Sequence, residues 1–336
     1  MSFSTVTDFE TALAEDIGPD EGAIAQARDR QAKLTKPAGS LGRLEDIAIF
    51  FAGWQARPIP RVEHGRAVIF AGNHGVTGRG VSAFPADVTA QMVGNFKAGG
   101  AAINALAGAA GLELKIVALD LDRPTADFTG APAMSESECL TALSAGAASV
   151  DADLDMLVVG EMGIGNSTAA AALCARSLGG DGASWVGPGT GVDDAGIRRK
   201  IDVVDAALAF HGTAPLTPFE TLRRVGGREI AAIAGAVLRA RQLHVPVLLD
   251  GFISCAALAP LAPIAPRVIV HCLAGHCSAE PGHARLLDAL GLVPLLHLDM
   301  RLGEGSGAAV AANLVRSALA AHAQMATFAQ AAVSAG

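Results

Sequence analysis

A chain of 336 residues, 51% hydrophobic and 17% charged, carries enough apolar material to bury a large core in one or two domains. Its formal charge of -8 excludes the basic footprint of a nucleic-acid-binding domain, and no apolar run of about 18 residues marks a membrane span. Five cysteines between Cys139 and Cys277 suit reduced thiols, and the start MSFSTVTDFETALAED lacks the basic, then apolar, pattern of a secretory leader, so a soluble cytoplasmic protein is expected.

Residues before about 62 read as helices without strand-like runs, and Pro58 and Pro60 in QARPIPRVEHG make a boundary. Short β-rich runs then recur at AVIFA (67–71), KIVALD (115–120), DMLVVG (155–160), VPVLLD (245–250), RVIVH (267–271) and PLLHLD (294–299), with WVG (185–187) a further candidate. Alanine-rich helical segments such as STAAAALCARSLG and EIAAIAGAVLRARQL separate them. Continuous apolar strands alternating with helices predict a doubly wound, Rossmann-like α/β fold with a mostly parallel sheet. The segment after about 308 reads as one long helix. The expected division is an α/β domain at 62–308 and a small helical subdomain built from 1–61 and 309–336.

The strand ends carry more information than the strands. AVIFA runs into GNHGV, DMLVVG into EMGIGNST, WVG into PGTGVDD, VPVLLD into GFIS, and PLLHLD into MRLGEGSG. In open parallel sheets the ligand crevice lies outside the carboxyl ends of the strands, so several glycine-rich, polar strand ends together predict a binding cleft. Gly163 and Gly165 precede a helix expected to start near Asn166–Thr168, whose free N–H groups suit phosphate. Gly187–Gly191 offers a second nest of amides. Lys200 is equally readable as a phosphate-binding point charge and as a solvated helix lysine. Glu304, flanked by Gly303, Gly305 and Gly307, is either a turn-stabilising carboxylate or an active-site base. Glu161 is the other carboxylate on a glycine-rich strand end.

Competing chemistries fit less well. Gly163-Ile164-Gly165 opens a dinucleotide fingerprint, but Thr168 replaces the third glycine and Asp181 lies short of the ribose-binding position. In HCLAGHC, His271, Cys272, His276 and Cys277 lie within seven residues, yet the spacing matches no common zinc site, and buried strand and turn residues are the plainer reading. His74 either orients a ligand or caps its turn, and Glu229 reads as a helix-start acid. A nucleotide-dependent dehydrogenase and a non-catalytic nucleotide-binding module remain as alternatives.

The segments KPAGSLGRLE (36–45), GVSAFPADVTAQMVGNFKAGGAAINALA (80–107), GEMGIGNSTAAAAL (160–173), VGPGTGVDD (186–194), VGGREIAAIAGA (225–236), SAEPGH (278–283) and LDMRLGEGSGAA (298–309) resemble, in order, the nicotinate-nucleotide–dimethylbenzimidazole phosphoribosyltransferase family of cobalamin lower-ligand synthesis. The resemblance implies transfer of the phosphoribosyl group of nicotinate mononucleotide to 5,6-dimethylbenzimidazole, giving α-ribazole 5′-phosphate and nicotinate, without metal or cofactor and in a homodimer. By similarity, Glu304 takes the imidazole proton and Glu161 is a second functional carboxylate near the ribose. Gly163, Gly189, Lys200 and Arg301 match nucleotide-holding positions. Ser82, Phe84, Gln91, Met92 and Leu302 match the aromatic-base pocket. The chain departs from the family pattern at Asn73 (often Asp), Phe84 (often Tyr), and Pro188 and Cys277 (frequently Arg).

Overall fold

The computed structural model describes residues 2–189 and 191–334. Its main sheet has five parallel strands in the order β2-β1-β3-β4-β5, formed by Gly65–Ala71 (β1), Leu112–Ala118 (β2), Met156–Met162 (β3), Val247–Leu249 (β4) and Cys272–Ala274 (β5). His276–Cys277 (β6) and Leu296–His297 (β7) add a short parallel pair. The chain winds outward in both directions from the β1–β3 junction, the topological switch point of a doubly wound sheet.

Alternation along the strands builds two apolar layers, because successive side chains point to opposite faces. Val68, Phe70, Leu157, Val159, Val247 and Leu249 meet the helices Asn166–Leu178 and Arg228–Gln242. Ala67, Ile69, Met156, Val158 and Leu248 meet the helices Ala102–Ala109 and Ser306–Gln324. Ile47 and Phe51, from the Arg43–Trp54 helix, belong to this second cluster. The two chain ends are tied together where Arg30 Nε donates to the carbonyl of His322 at 2.7 Å.

Two expected strands form differently. In RVIVH, Pro266–Ile269 is a 3₁₀ turn and the strand begins at Cys272. Proline fixes φ and lacks an N–H, which favours a turn start over a ladder, while Val268 and Ile269 are still buried. WVG forms no strand: Trp185 ends the short helix Gly182–Trp185, capped by Asp181, which accepts the N–H of Ser184 at 3.0 Å. Asp181 is thus a cap. No helix among the described residues is long and apolar enough to cross a membrane, and all five cysteines are unpaired.

Candidate active site

The carboxyl ends of β1, β3 and β4 and the turn after β7 converge at the switch point. β1 runs into Gly72–Gly75 and β3 into Gly163–Gly165, and these loops touch: a Cβ on Gly163 would stand 2.7 Å from the Gly72 carbonyl oxygen. The Ile164 N–H donates to Thr89 Oγ1 at 3.1 Å, docking the Val88–Ala98 helix on the same loop. The Asn166–Leu178 helix begins where its glycines predict, with Gly165 at φ +94° as N-cap.

Glu304 occupies an unusual backbone. Gly303, Glu304 and Gly305 have φ of +82°, +61° and +76° in succession, a left-handed run that glycine tolerates and glutamate rarely adopts. The turn lies against β3 so closely that a Cβ on Gly160 would stand 2.6 Å from the Gly305 Cα. Glu304 is buried, its Oε2 has no hydrogen-bond partner among the described residues, and burial, then the charge of Asp250, pushes its carboxyl up to about 7.

Glu161 lies across from this turn, with its Oε1 2.5 Å from where a Gly303 Cβ would stand. Its Oε2 accepts from Asn166 Nδ2. Burial first, then the charges of Asp250 and Glu229, push Glu161 up to about 8, against the opposing Asn166 hydrogen bond. A carboxyl so placed is mostly protonated at neutral pH.

Lys200, on the Asp194–His211 helix, is fully buried and donates to the Gly187 carbonyl at 2.7 Å and to Ser167 Oγ at 3.0 Å. An ammonium has three donors, so one remains for a ligand. Burial lowers this amine to about 8, opposed by the charge of Glu280. Arg301 Nη1 donates to the Gly189 carbonyl at 3.2 Å. The nest at Gly187–Gly191 includes residue 190, which lies outside the described residues, while Gly189 has φ +55°.

A phosphoribosyltransferase family profile matches residues 17–333. The chain is 70% identical over 334 residues to the nicotinate-nucleotide–dimethylbenzimidazole phosphoribosyltransferase of Novosphingobium aromaticivorans, covering 99% of each chain. It is 56% identical over 333 residues to the protein of that name from a Ruegeria species, covering 99% of this chain and 98% of that one. The crystal structure of CobT from Thermus thermophilus superposes with a TM-score of 0.88 at 42% identity, over 94% of this chain and 100% of the other. This chain belongs to that phosphoribosyltransferase family. It is therefore an enzyme of the transferase class, and the dehydrogenase and non-catalytic readings fall away.

Within the fold, Glu161, Gly163, Gly189, Arg301, Leu302 and Gly303 line one cleft. Ser82 and Lys200 line an adjoining one that shares Gly163, Ile164, Asn166 and Ser167. Glu304, next in the chain after Gly303, lines neither of these two clefts itself. Phe84, Gln91 and Met92 line neither cleft: Phe84 is 47% exposed, Gln91 is exposed, and Met92 packs partly into the second core layer. Residues that sequence reasoning did not assign to the site are also present. His276, Ser278 and Glu280 line the first cleft, the last two within the quoted SAEPGH segment, and Asp250 is buried at the end of β4. Glu229 is more than a helix-start acid. It is fully buried, and its Oε1 lies 2.6 Å from His74 Nε2. His271, Cys272, His276 and Cys277 do not gather: His271 bonds the Val237 carbonyl, and no metal-holding group of His, Cys, Asp and Glu occurs among the described residues.

Proposed function

We propose that this enzyme moves the 5-phosphoribosyl group of nicotinate mononucleotide to 5,6-dimethylbenzimidazole with inversion, giving α-ribazole 5′-phosphate and nicotinate. The observation that carries the chemistry is Glu304: a buried carboxylate on a left-handed turn whose Gly303 lines the cleft, with one oxygen unpartnered and its proton affinity raised toward neutrality. The unprotonated nitrogen of the benzimidazole attacks C1′ of the ribose while the N–H proton of the other ring nitrogen passes to Glu304. The C1′–N bond of the pyridinium breaks, its electron pair returns to the pyridine nitrogen, and nicotinate leaves as a neutral ring without acid assistance. Attack opposite the leaving group converts the β-nucleotide into the α-product.

Lys200, Arg301, Gly163 and Gly189 are assigned to the nucleotide, chiefly its phosphate, by charge and free N–H groups. Glu161, carrying its proton at neutral pH, is assigned to the ribose side as a hydrogen-bond donor. Ser82, Phe84, Gln91, Met92 and Leu302 are assigned to the aromatic base. Phe84 and Leu302 stand 47% and 53% exposed in the single chain, which suits a base site that closes further on ligand or on a second copy of the chain. A cytoplasmic homodimer belongs to the same reading, and sedimentation as a monomer at every concentration would reject the dimer. The deciding assay is incubation with nicotinate mononucleotide and a panel of benzimidazoles, purines and phenolics, with products identified by mass and anomeric configuration. No riboside from any base, or a β-linked product, overturns the proposal.

A further inference from the structure

The Ser306–Gln324 helix starts at Gly305, which has no side chain to cap it. The first N–H groups of a helix need acceptors when buried, and here they find one from another strand. Asp250, 1% exposed at the end of β4, accepts the Gly305 N–H through Oδ2 at 3.1 Å and the Ala308 N–H through Oδ1 at 3.0 Å. Its Oδ1 also faces His276 Nε2 at 3.5 Å. His276 is 2% exposed, neither ring nitrogen has a hydrogen-bond partner among the described residues, and the ring occupies space that only glycine leaves free at Gly307.

We propose that Asp250 is the positioning residue for the proton acceptor: it clamps the left-handed Gly303–Gly305 turn to the end of the sheet and sets the charge that Glu304 meets there. The proposal rests on Glu304 being the base. A carboxylate suits the task better than an amide, because it accepts two N–H groups at once and complements the helix dipole. The groups facing it are Glu161 from β3, Glu304 from the turn, His276 from β6, Cys255 from the Phe252–Ala256 helix and His283 from the Pro281–Leu290 helix. Of these, Glu161 and Glu304 both have their protons held more tightly by the charge of Asp250.

Two variants separate clamp from charge. Asp250→Asn keeps one acceptor and removes the charge. Its acid limb in the pH profile of kcat/KM should move down by about one pH unit, and kcat should fall about 10-fold as the turn loosens. Asp250→Glu keeps the charge but overreaches, so its limb should stay in place while kcat falls. Glu304→Gln serves as the reference and should lose the limb altogether. An Asp250→Asn enzyme with unchanged limb and unchanged kcat overturns the positioning role, and so does an Asp250→Glu enzyme of full activity. A limb that survives in Glu304→Gln rejects the base instead, so the two failures are told apart. Should Asp250→Asn not fold, Asp250→Glu carries the test, with mononucleotide binding by calorimetry verifying its fold.

Discussion

Glu304→Gln should make the enzyme slower and, above neutral pH, more stable. The fold raises the Glu304 carboxyl from 4.5 to about 7, a difference of 2.5 pH units. At about 1.4 kcal/mol per unit, this corresponds to about 3.5 kcal/mol as an upper bound, lowered by whatever solvent screening reaches the carboxyl. The sign follows from the direction. A carboxyl bound more tightly to its proton in the folded state contributes stability that is fully present below 4.5 and lost as the pH rises through about 7. The native enzyme at pH 8 therefore holds a charge that its surroundings disfavour. Glutamine has the same shape without the charge, so the variant should melt about 4–6 °C higher than the native enzyme at pH 8, taking roughly 2 °C per kcal/mol for a chain of this size. The gap should close at pH 4.5. Turnover should fall about 100-fold, the scale of a general base. Differential scanning calorimetry from pH 4.5 to 8, beside product assays, reads both. A variant that melts no higher at pH 8, or whose advantage is the same at every pH, refutes the reasoning, and near-native kcat refutes the base.

Lys200→Ala should raise KM for the mononucleotide at least 10-fold with little change for the base, and in the native enzyme mononucleotide affinity should decline above about pH 8 as the amine loses its proton; equal KM values reject the contact. Gly160→Ala drives a methyl to 2.6 Å from the Gly305 Cα, so it should cost about 2–3 kcal/mol in denaturant unfolding and lower kcat with it; a silent substitution would show that the turn is not pressed on β3. His74→Ala leaves the Glu229 carboxyl buried without its partner and should cost about 3–5 kcal/mol, with His74→Ala/Glu229→Leu recovering part of the loss in a double-mutant cycle.

The parts of the fold that were legible are those where pattern and structure share one cause. AVIFA and DMLVVG carry continuous apolar runs that end in glycine, at Gly72 and Gly160, and they became the adjacent strands β1 and β3, while KIVALD became β2 at the sheet edge. RVIVH has the same apolar look, but burial rather than the ladder explains it: Val268 and Ile269 pack inward from a 3₁₀ turn that Pro266 starts. An apolar run of this length does not distinguish a buried strand from a buried turn. Trp185 misled in the same way, since its burial under Arg285, whose guanidinium lies 4.6 Å from the ring, owes nothing to a strand. In the site, Glu304 was legible because glycines on both sides announce a left-handed turn. Asp250 was not, because an acid ending VPVLLD looks like any strand end until the fold brings Gly305 and Ala308 to it across more than fifty positions of sequence. Phe84, Gln91 and Met92 rest on resemblance alone, as no local pattern places them near the strand ends.

The site's charge balance yields a last expectation. Glu161, Glu229, Asp250 and Glu304 are all buried, and His74, His276 and His283 face them as potential cations, the last held neutral by its burial. Buried carboxylates without cations keep their protons, which is the state of Glu161 and in part of Glu304. Nicotinate mononucleotide brings the missing charge, because its pyridinium nitrogen is positive. In the proposed mechanism that charge disappears from the pyridine as the benzimidazole proton reaches Glu304, so one positive and one negative charge vanish together and the interior is left no worse balanced than before. The bound substrate should therefore favour ionised Glu304. The acid limb of kcat, which reports the substrate complex, should lie below the limb of kcat/KM, which reports the free enzyme near pH 7. A shift of about one pH unit corresponds to about 1.4 kcal/mol of attraction between pyridinium and carboxylate. Measured with saturating dimethylbenzimidazole and varied mononucleotide, coincident limbs would show that Glu304 does not feel the pyridinium, and a limb moved upward would show that loss of solvent on binding outweighs any attraction to it.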